Sequence, residues 1–325
     1  MTRLPSADRE PVTTNGTIAV ANLHAQIAGL AARGRHAGPG PAAAPLAVAT
    51  RAHLIDLLLL RGDVLSRIAD YERAGELAGE LVRDAPDDSR AWLARARTRA
   101  TFHRFAEAMA DLETAGQNGL DRATVDAERA PILQAVGCYW HALVLCEDAA
   151  KRRPGFTTLG ALAVLQSERG EVTQAEPLFD QARRCYQDIS PFPLASLDYR
   201  RGLMWLGQGD LPAARSWFAA AQRRVPAYAP ALGRLAEVDA ALGNRQDAIS
   251  RLRLLASSSD DPQYAAILAR VLGAAGHRRE AIQWHDRAAA RHAELVQRHP
   301  KAFTHHAADF RPGTAEPPGR LAPAS

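Results

Sequence analysis

The chain has 325 residues, 47% apolar and only 6% aromatic, which excludes disorder throughout and favours closely packed helices over β-sheet. Its 40 basic residues exceed the 36 acidic ones by four, too mild an excess for a nucleic-acid footprint unless the charge clusters on one face. Cys138, Cys146 and Cys185 form no C-x-x-C pair, which argues against a disulfide framework or zinc ribbon and fits a reducing compartment.

In chain order, the opening MTRLPSADREPVTTNG places Asp8, Arg9 and Glu10 where a signal peptide would need its apolar core. No run approaches the roughly 18 uninterrupted apolar residues of a membrane span, so the expected location is cytoplasmic. Residues 1–16 read as disordered, and residues 17–45 as a short Ala-rich helix followed by the linker GRHAGPGPAAAP. Residues 46–300 read as a helical repeat region opening on LAVATRAHLIDLLLLRG, and residues 301–325 as a His/Pro-rich tail. Lysine occurs only at Lys151 and Lys301, an arginine bias of bacterial, GC-rich type.

Within that region a turn residue is followed by an alanine, often with a bulky apolar residue four later and a second alanine three beyond. The anchors are Ala74, Ala108, Ala142, Ala175, Ala214, Ala248 and Ala281, separated by 34, 34, 33, 39, 34 and 33 residues. That period is one helix-turn-helix unit, so the chain predicts an all-α stack of about seven units. A small alanine lets two antiparallel helices approach, while the bulky residue fills the space between neighbours. Gly170, Gly209, Gly243 and Gly276 each stand five residues before an anchor, where a left-handed turn ends the first helix. Pro86, Pro154 and Pro226 each stand twelve after one, where a helix cannot continue. First helices carry Trp92, or Gly202 with Trp205, or Leu232 with Leu235 and Ala236.

These residues resemble the tetratricopeptide repeat (TPR) family, with its W-x2-L-G-x2-Y first helix, A-x3-F-x2-A second helix and closing proline. The unit anchored at Ala142 departs from it: Asp126 occupies the tryptophan place and Pro131 falls in the expected first helix. The resemblance implies a TPR-like α-solenoid, a right-handed superhelix whose concave groove is lined by first helices and binds peptides or partner helices. Carried over unit by unit, the lining becomes Asp56, Asp63 and Arg67; Arg90, Arg97 and Thr101; Thr157, Ser167 and Glu168; then Tyr199, Glu237, Gln263 and Arg270. It is polar and mixed in sign. The Lys and Asn residues of the family's carboxylate clamp are missing, so capture of a C-terminal carboxylate is not expected.

Three other features could carry chemistry. The 39-residue step places a surplus in residues 187–196, where an extended loop could project Phe192. Arg doublets at 152–153, 183–184 and 223–224 fall where helices end and cations offset the macrodipole, rather than on a phosphate-binding stripe. Histidines crowd the C-terminal end, but His285, His292 and His299 are seven apart, hence roughly 10 Å from one to the next along a helix, too far to share an ion. They share a face with Ala281, Ala288 and Leu295, which predicts packing; His299, His305 and His306 with Asp309 could converge on a metal if the chain reverses at Pro300.

No H-E-x-x-H, Walker, G-x-S-x-G, dinucleotide or EF-hand pattern occurs in the sequence, and no cofactor is expected. The reading is a non-catalytic scaffold that binds a protein or peptide, with nucleic acid and membrane disfavoured. The alternative is a metal-dependent or small-molecule enzyme using the His-rich end or a pocket under the 187–196 loop. The N-terminal helix and the His-rich last helix are the expected caps of the stack.

Overall fold

The computed structural model describes residues 11–36 and 47–304; the linker, the tail beyond residue 304 and the first ten residues lie outside it. Among the described residues the regular structure is helix alone. The elements are α1 (Gly16–His36), α2 (Val48–Leu65), α3 (Ile68–Asp84), α4 (Ser89–Thr101), α5 (Phe105–Gln117), α6 (Arg122–Ala135), α7 (Tyr139–Arg152) and α8 (Phe156–Glu168). They continue as α9 (Val172–Arg184), α10 (Phe192–Gly207), α11 (Leu211–Arg224), α12 (Ala229–Ala241), α13 (Arg245–Ser258), α14 (Pro262–Ala274), α15 (Arg278–Arg298) and the single turn α16 (Pro300–Phe303).

From α2 to α15 these form seven successive helix-turn-helix units in the predicted register, every anchor alanine lying on the second helix of its pair. The fold is an all-α solenoid of TPR type. Ala74, Ala108, Ala142, Ala175, Ala214 and Ala248 are completely buried, as are Leu112, Phe179, Phe218 and Leu252 four residues beyond their anchors. Close approach is reciprocal: a methyl placed on Gly202 of α10 would sit 2.6 Å from the Phe218 ring of α11, and one on Gly233 of α12 would sit 2.6 Å from Tyr264 of α14. Bulk on one helix thus enters a space that only a small residue on the other leaves open.

The turns follow the same local logic. Gly170, Gly209, Gly243 and Gly276 adopt φ between +76° and +95°, a region where a side chain would be strained. His103, at the matching place before Ala108, adopts φ +53° and stacks on Phe105. Asp88, Asp121, Asp210 and Asp261 cap α4, α6, α11 and α14 by accepting from backbone N–H groups of their first turns. Pro86, Pro154 and Pro226 stand two residues beyond the ends of α3, α7 and α11, in the turns. Each Arg doublet begins in, and two of the three end in, the last turn of its helix. Helix α6 runs through Pro131, which is solvent-exposed, as is Ala127 one turn earlier, whose carbonyl loses its helical donor and meets water.

The longer 39-residue step is divided between its loop and its helix. Residues 185–191 exceed the other turns between units in length, and α10 is longer than the 13-residue first helices α4, α8, α12 and α14. Phe192 begins α10 and is half-buried; the exposed apolar side chain of the loop is Ile189. Tyr186 donates to Ser190 O and packs edge-on against Phe156, which ties the loop to α8.

Arginine density has a structural use. Asp70 is gripped by both ends of the Arg61 fork, at 2.6 and 2.8 Å, and Asp111 by Arg95 and Arg99. Asp198 sits between Arg183 and Arg224, and Asp239 between Arg215 and Arg251. All four carboxylates are buried and each joins neighbouring helices through charge-assisted bonds.

The chain forms two compact units. One holds residues 18–63 and 67–145; the other holds residues 146–304 with residues 11–17 and 64–66.

Candidate binding surface

In the first unit the site grows from three consecutive first helices, α2, α4 and α6. Arg97 of α4 donates through Nη1 to Asp56 Oδ1 of α2 at 2.8 Å and through Nε to Glu128 Oε1 of α6, also at 2.8 Å. Burial pulls the Arg97 guanidinium down, but Glu128 and Asp56 more than offset it and hold it above its ordinary value. Thr101 donates back to Arg97 O and closes the last turn of α4. Asp63 accepts from Tyr71 at 2.7 Å, and Arg67 lies 3.7 Å from Asp70. Arg90 is folded onto Asp88, the cap of its own helix, at 2.6 Å.

The second unit repeats the device on α10, α12 and α14. Glu237 of α12, 8% exposed, accepts from Arg234 at 3.0 Å and from Arg270 of α14 at 2.8 Å. Arg234 also bonds Tyr199 of α10, whose ring packs on Phe218 and edge-on against Tyr228. Tyr264 is almost fully buried and shares a 2.6 Å hydrogen bond with Ser66, while Ser259 donates to Ser66 O. Burial pushes the Tyr264 hydroxyl well above its ordinary value. Thr157 and Gln263 are exposed, the latter bonded to Asp261. Ser167 donates to Val164 O, and Glu168 stands 4.0 Å from Arg200.

Of the residues expected to line a groove, the structure brings Asp56 together with Arg97, and Glu237 together with Arg270. Tyr199 joins the second pair through Arg234, which bonds both it and Glu237, and the others are occupied locally or face solvent. Two members were not foreseen: Glu128 and Arg234 both lie two residues after the tryptophan place of their units. A lining rule that had included that place would have found them.

A second feature was also missed. Around the α6–α7 turn, Val136, Tyr139, Trp140 and Val144 are 49%, 45%, 69% and 42% exposed, an apolar patch where this unit departs from the repeat pattern. At the other end of the chain, His292 is buried, bonded to Phe303 O at 3.0 Å, with Ala288 and Leu295 buried on the same face of α15. His285 lies 3.5 Å from Asp286, and His299 ends α15. His305, His306 and Asp309 lie outside the described residues, and among those described no cluster of three metal-ligating side chains forms. No described helix is long and apolar enough to cross a membrane.

Residues 206–271, from the end of α10 into α14, match the sequence profile described as tetratricopeptide repeat. That stretch carries the tetratricopeptide repeat sequence. Against curated proteins no sequence match is found. Among solved structures, TPR-type likeness extends to the human IFIT1 dimer with m7Gppp-AAAA, at a TM-score of 0.59 and 16% identity over 83% of this chain and 63% of that one. The human IFIT1 dimer with PPP-AAAA gives 0.56 at 16% identity, over 77% and 64%. The APC/C hetero-tetramer Cut9–Hcn1 gives 0.53 at 17%, over 85% and 54%. At these identities the likeness shows the repeat fold alone, and the chain spans less than two thirds of each of these structures.

Proposed function

We propose that this repeat protein is a non-catalytic scaffold whose first-helix surface binds a polar segment of a partner protein. The observation that carries the reading is the pairing of the lining charges. Arg97 is held by Asp56 and Glu128, and Arg270 and Arg234 by Glu237, so each guanidinium already has a carboxylate. A guest presenting both signs can exchange into such pairs one for one, whereas a polyphosphate backbone would strand the displaced carboxylates beside its own charge. Exposed Trp140 and Tyr139 favour a protein partner as well, since aromatic anchors dominate the energetics of such interfaces.

The comparison with IFIT1 makes RNA the competing guest to test. A peptide library displayed on phage is selected against the wild-type chain, and recovered peptides are titrated alongside a single-stranded RNA bearing a 5′-triphosphate. Peptides that bind wild type and lose at least about tenfold in Arg97→Glu and Glu237→Arg variants support the reading, because charge reversal removes one partner of each exchange. RNA binding tighter than any peptide, with a steep loss between low and physiological salt, overturns it.

A further inference from the structure

On the surface built from α10, α12 and α14 the charges do not pair one to one. Glu237 accepts from two guanidiniums, through Oε2 from Arg234 at 3.0 Å and through Oε1 from Arg270 at 2.8 Å. Both of its oxygens are occupied, and two positive charges share one negative, which leaves the cluster with one positive charge in excess. Buried Asp198 in the same unit is also shared by two arginines, but Arg183 and Arg224 are only 14% and 8% exposed and lie within the packing. Arg270 is 62% exposed. It meets Glu237 through Nη2, and its Nη1 and Nε have no acceptor among the described residues.

Hydrogen-bond polarity points the same way. A guanidinium has donors only, so in its bond with Arg234 the Tyr199 oxygen accepts, and the Tyr199 proton has no acceptor among the described residues. Tyr199 is half-buried and its ring is held by Phe218 and Tyr228, which fixes the place of the hydroxyl. The acceptors of the cluster are therefore used up internally, while donors remain on Arg270 and Tyr199. A group that completes it must accept hydrogen bonds and carry one negative charge. A carboxylate does both, whereas a phosphoryl group near its dianionic state brings a second charge that would stand unpaired beside buried Glu237. The first-helix surface continues beyond the cluster onto α8, where Glu168 stands 4.0 Å from Arg200 of α10, so a guest chain can run past the cluster without ending on it.

We propose that Arg270 is a carboxylate-binding subsite of this surface, and that the partner segment bound there places an aspartate or glutamate side chain on its exposed guanidinium. Tyr199 donates to a neighbouring acceptor of the same segment. Arg270 supplies charge and directed N–H donors, and buried Glu237 holds it in place, so little freedom is lost when the guest arrives. The inference rests on the reading of the first-helix surface as a peptide-binding one and adds to it the sign of the guest at this place.

The probe is a phage library of short random peptides fused to the coat protein at their C-termini, so that no free chain end is offered. It is selected in parallel against full-length wild type and Arg270→Gln, with urea unfolding as the check that the variant folds. The wild-type pool should be the richer in Asp and Glu. A recovered peptide, synthesised with an amidated C-terminus, should lose about tenfold in affinity for wild type when its acidic residue is changed to the matching amide, and no more than about twofold for Arg270→Gln, the non-additivity of a direct pair. Arg270→Lys, which keeps the charge without the fork, should show an intermediate loss, and it carries the comparison if Arg270→Gln does not fold. Pools of equal acidity, or equal losses in wild type and variant, overturn the subsite and leave the scaffold reading standing, because peptides still bind. Phosphoserine in place of the acid should bind less tightly, and tighter binding overturns the assignment to a carboxylate. If wild type recovers no peptide at all, the subsite and the scaffold reading fall together.

Discussion

Two alanine substitutions in one helix should move stability in opposite directions. At Gly207, near the exposed end of α10, an added methyl meets nothing within 4 Å, so only helix propensity acts and stabilisation of about 0.5–1 kcal/mol is expected. At Gly202 the same propensity gain is opposed by sterics. The new methyl would lie 2.6 Å from Cδ1 and Cε1 of Phe218 and 3.2 Å from Cζ, against an optimum of about 3.5–4.0 Å. Phe218 is completely buried among Tyr199, Leu235 and Val238 and has no free side toward which to retreat. Overpacking of this kind costs about 1–3 kcal/mol, so Gly202→Ala should be destabilised by a net amount of up to about 2 kcal/mol despite the better helix former. Urea unfolding followed by tryptophan fluorescence gives the two midpoints, and Phe218→Leu placed in the Gly202→Ala background should recover part of the loss. A Gly202→Ala midpoint at or above wild type would refute the account of small-into-bulky packing between α10 and α11.

Other outcomes follow from single groups. Cys138 and Cys185 are exposed whereas burial pushes the Cys146 thiol up to about 11, so a thiol reagent at neutral pH should label two cysteines quickly and the third only on unfolding, counted by mass spectrometry. Asp88→Ala removes the cap that accepts from Arg90 N and should cost about 1 kcal/mol in urea unfolding. The Asp88 carboxyl is held below its ordinary value, chiefly by the Arg90 side-chain bond, so its contribution is complete above the unfolded value of 3.8 and disappears as acid titrates through the lowered folded one. Wild type and Asp88→Asn should therefore converge only in that acidic range. Asp261 behaves oppositely, because burial raises it to about 6: the stability linked to its protonation is complete below 3.8 and lost as pH rises through about 6. Asp261→Asn, which keeps an amide oxygen for the Gln263 N–H, should exceed wild type in unfolding midpoint at pH 7 and match it near pH 3.5.

Much of the scaffold was legible residue by residue. Ala175 with Phe179 and Ala182, or Ala214 with Phe218 and Ala221, announce a second helix because small and bulky residues at those intervals suit only a close-packed hairpin, and all six are completely buried. Glycines such as Gly243 mark turns because the left-handed backbone there excludes other residues locally. The paired charges were half visible: Asp56, Arg97, Glu237 and Arg270 were placed on the lining by family spacing, but Glu128 and Arg234 were not. Nor could spacing show that Trp140 would stay exposed, since the same residue at another turn of α7 would have been core.

Sequence by itself determined the period, the turns within hairpins and the small-to-bulky complementarity, because these depend on backbone conformation and side-chain volume within one hairpin and its neighbour. Only the tertiary structure decided which carboxylate meets which guanidinium. Those partners lie many residues apart along the chain, as Arg97 and Asp56 do across 41 positions, and long flexible side chains carry no local signature of the charge they will find.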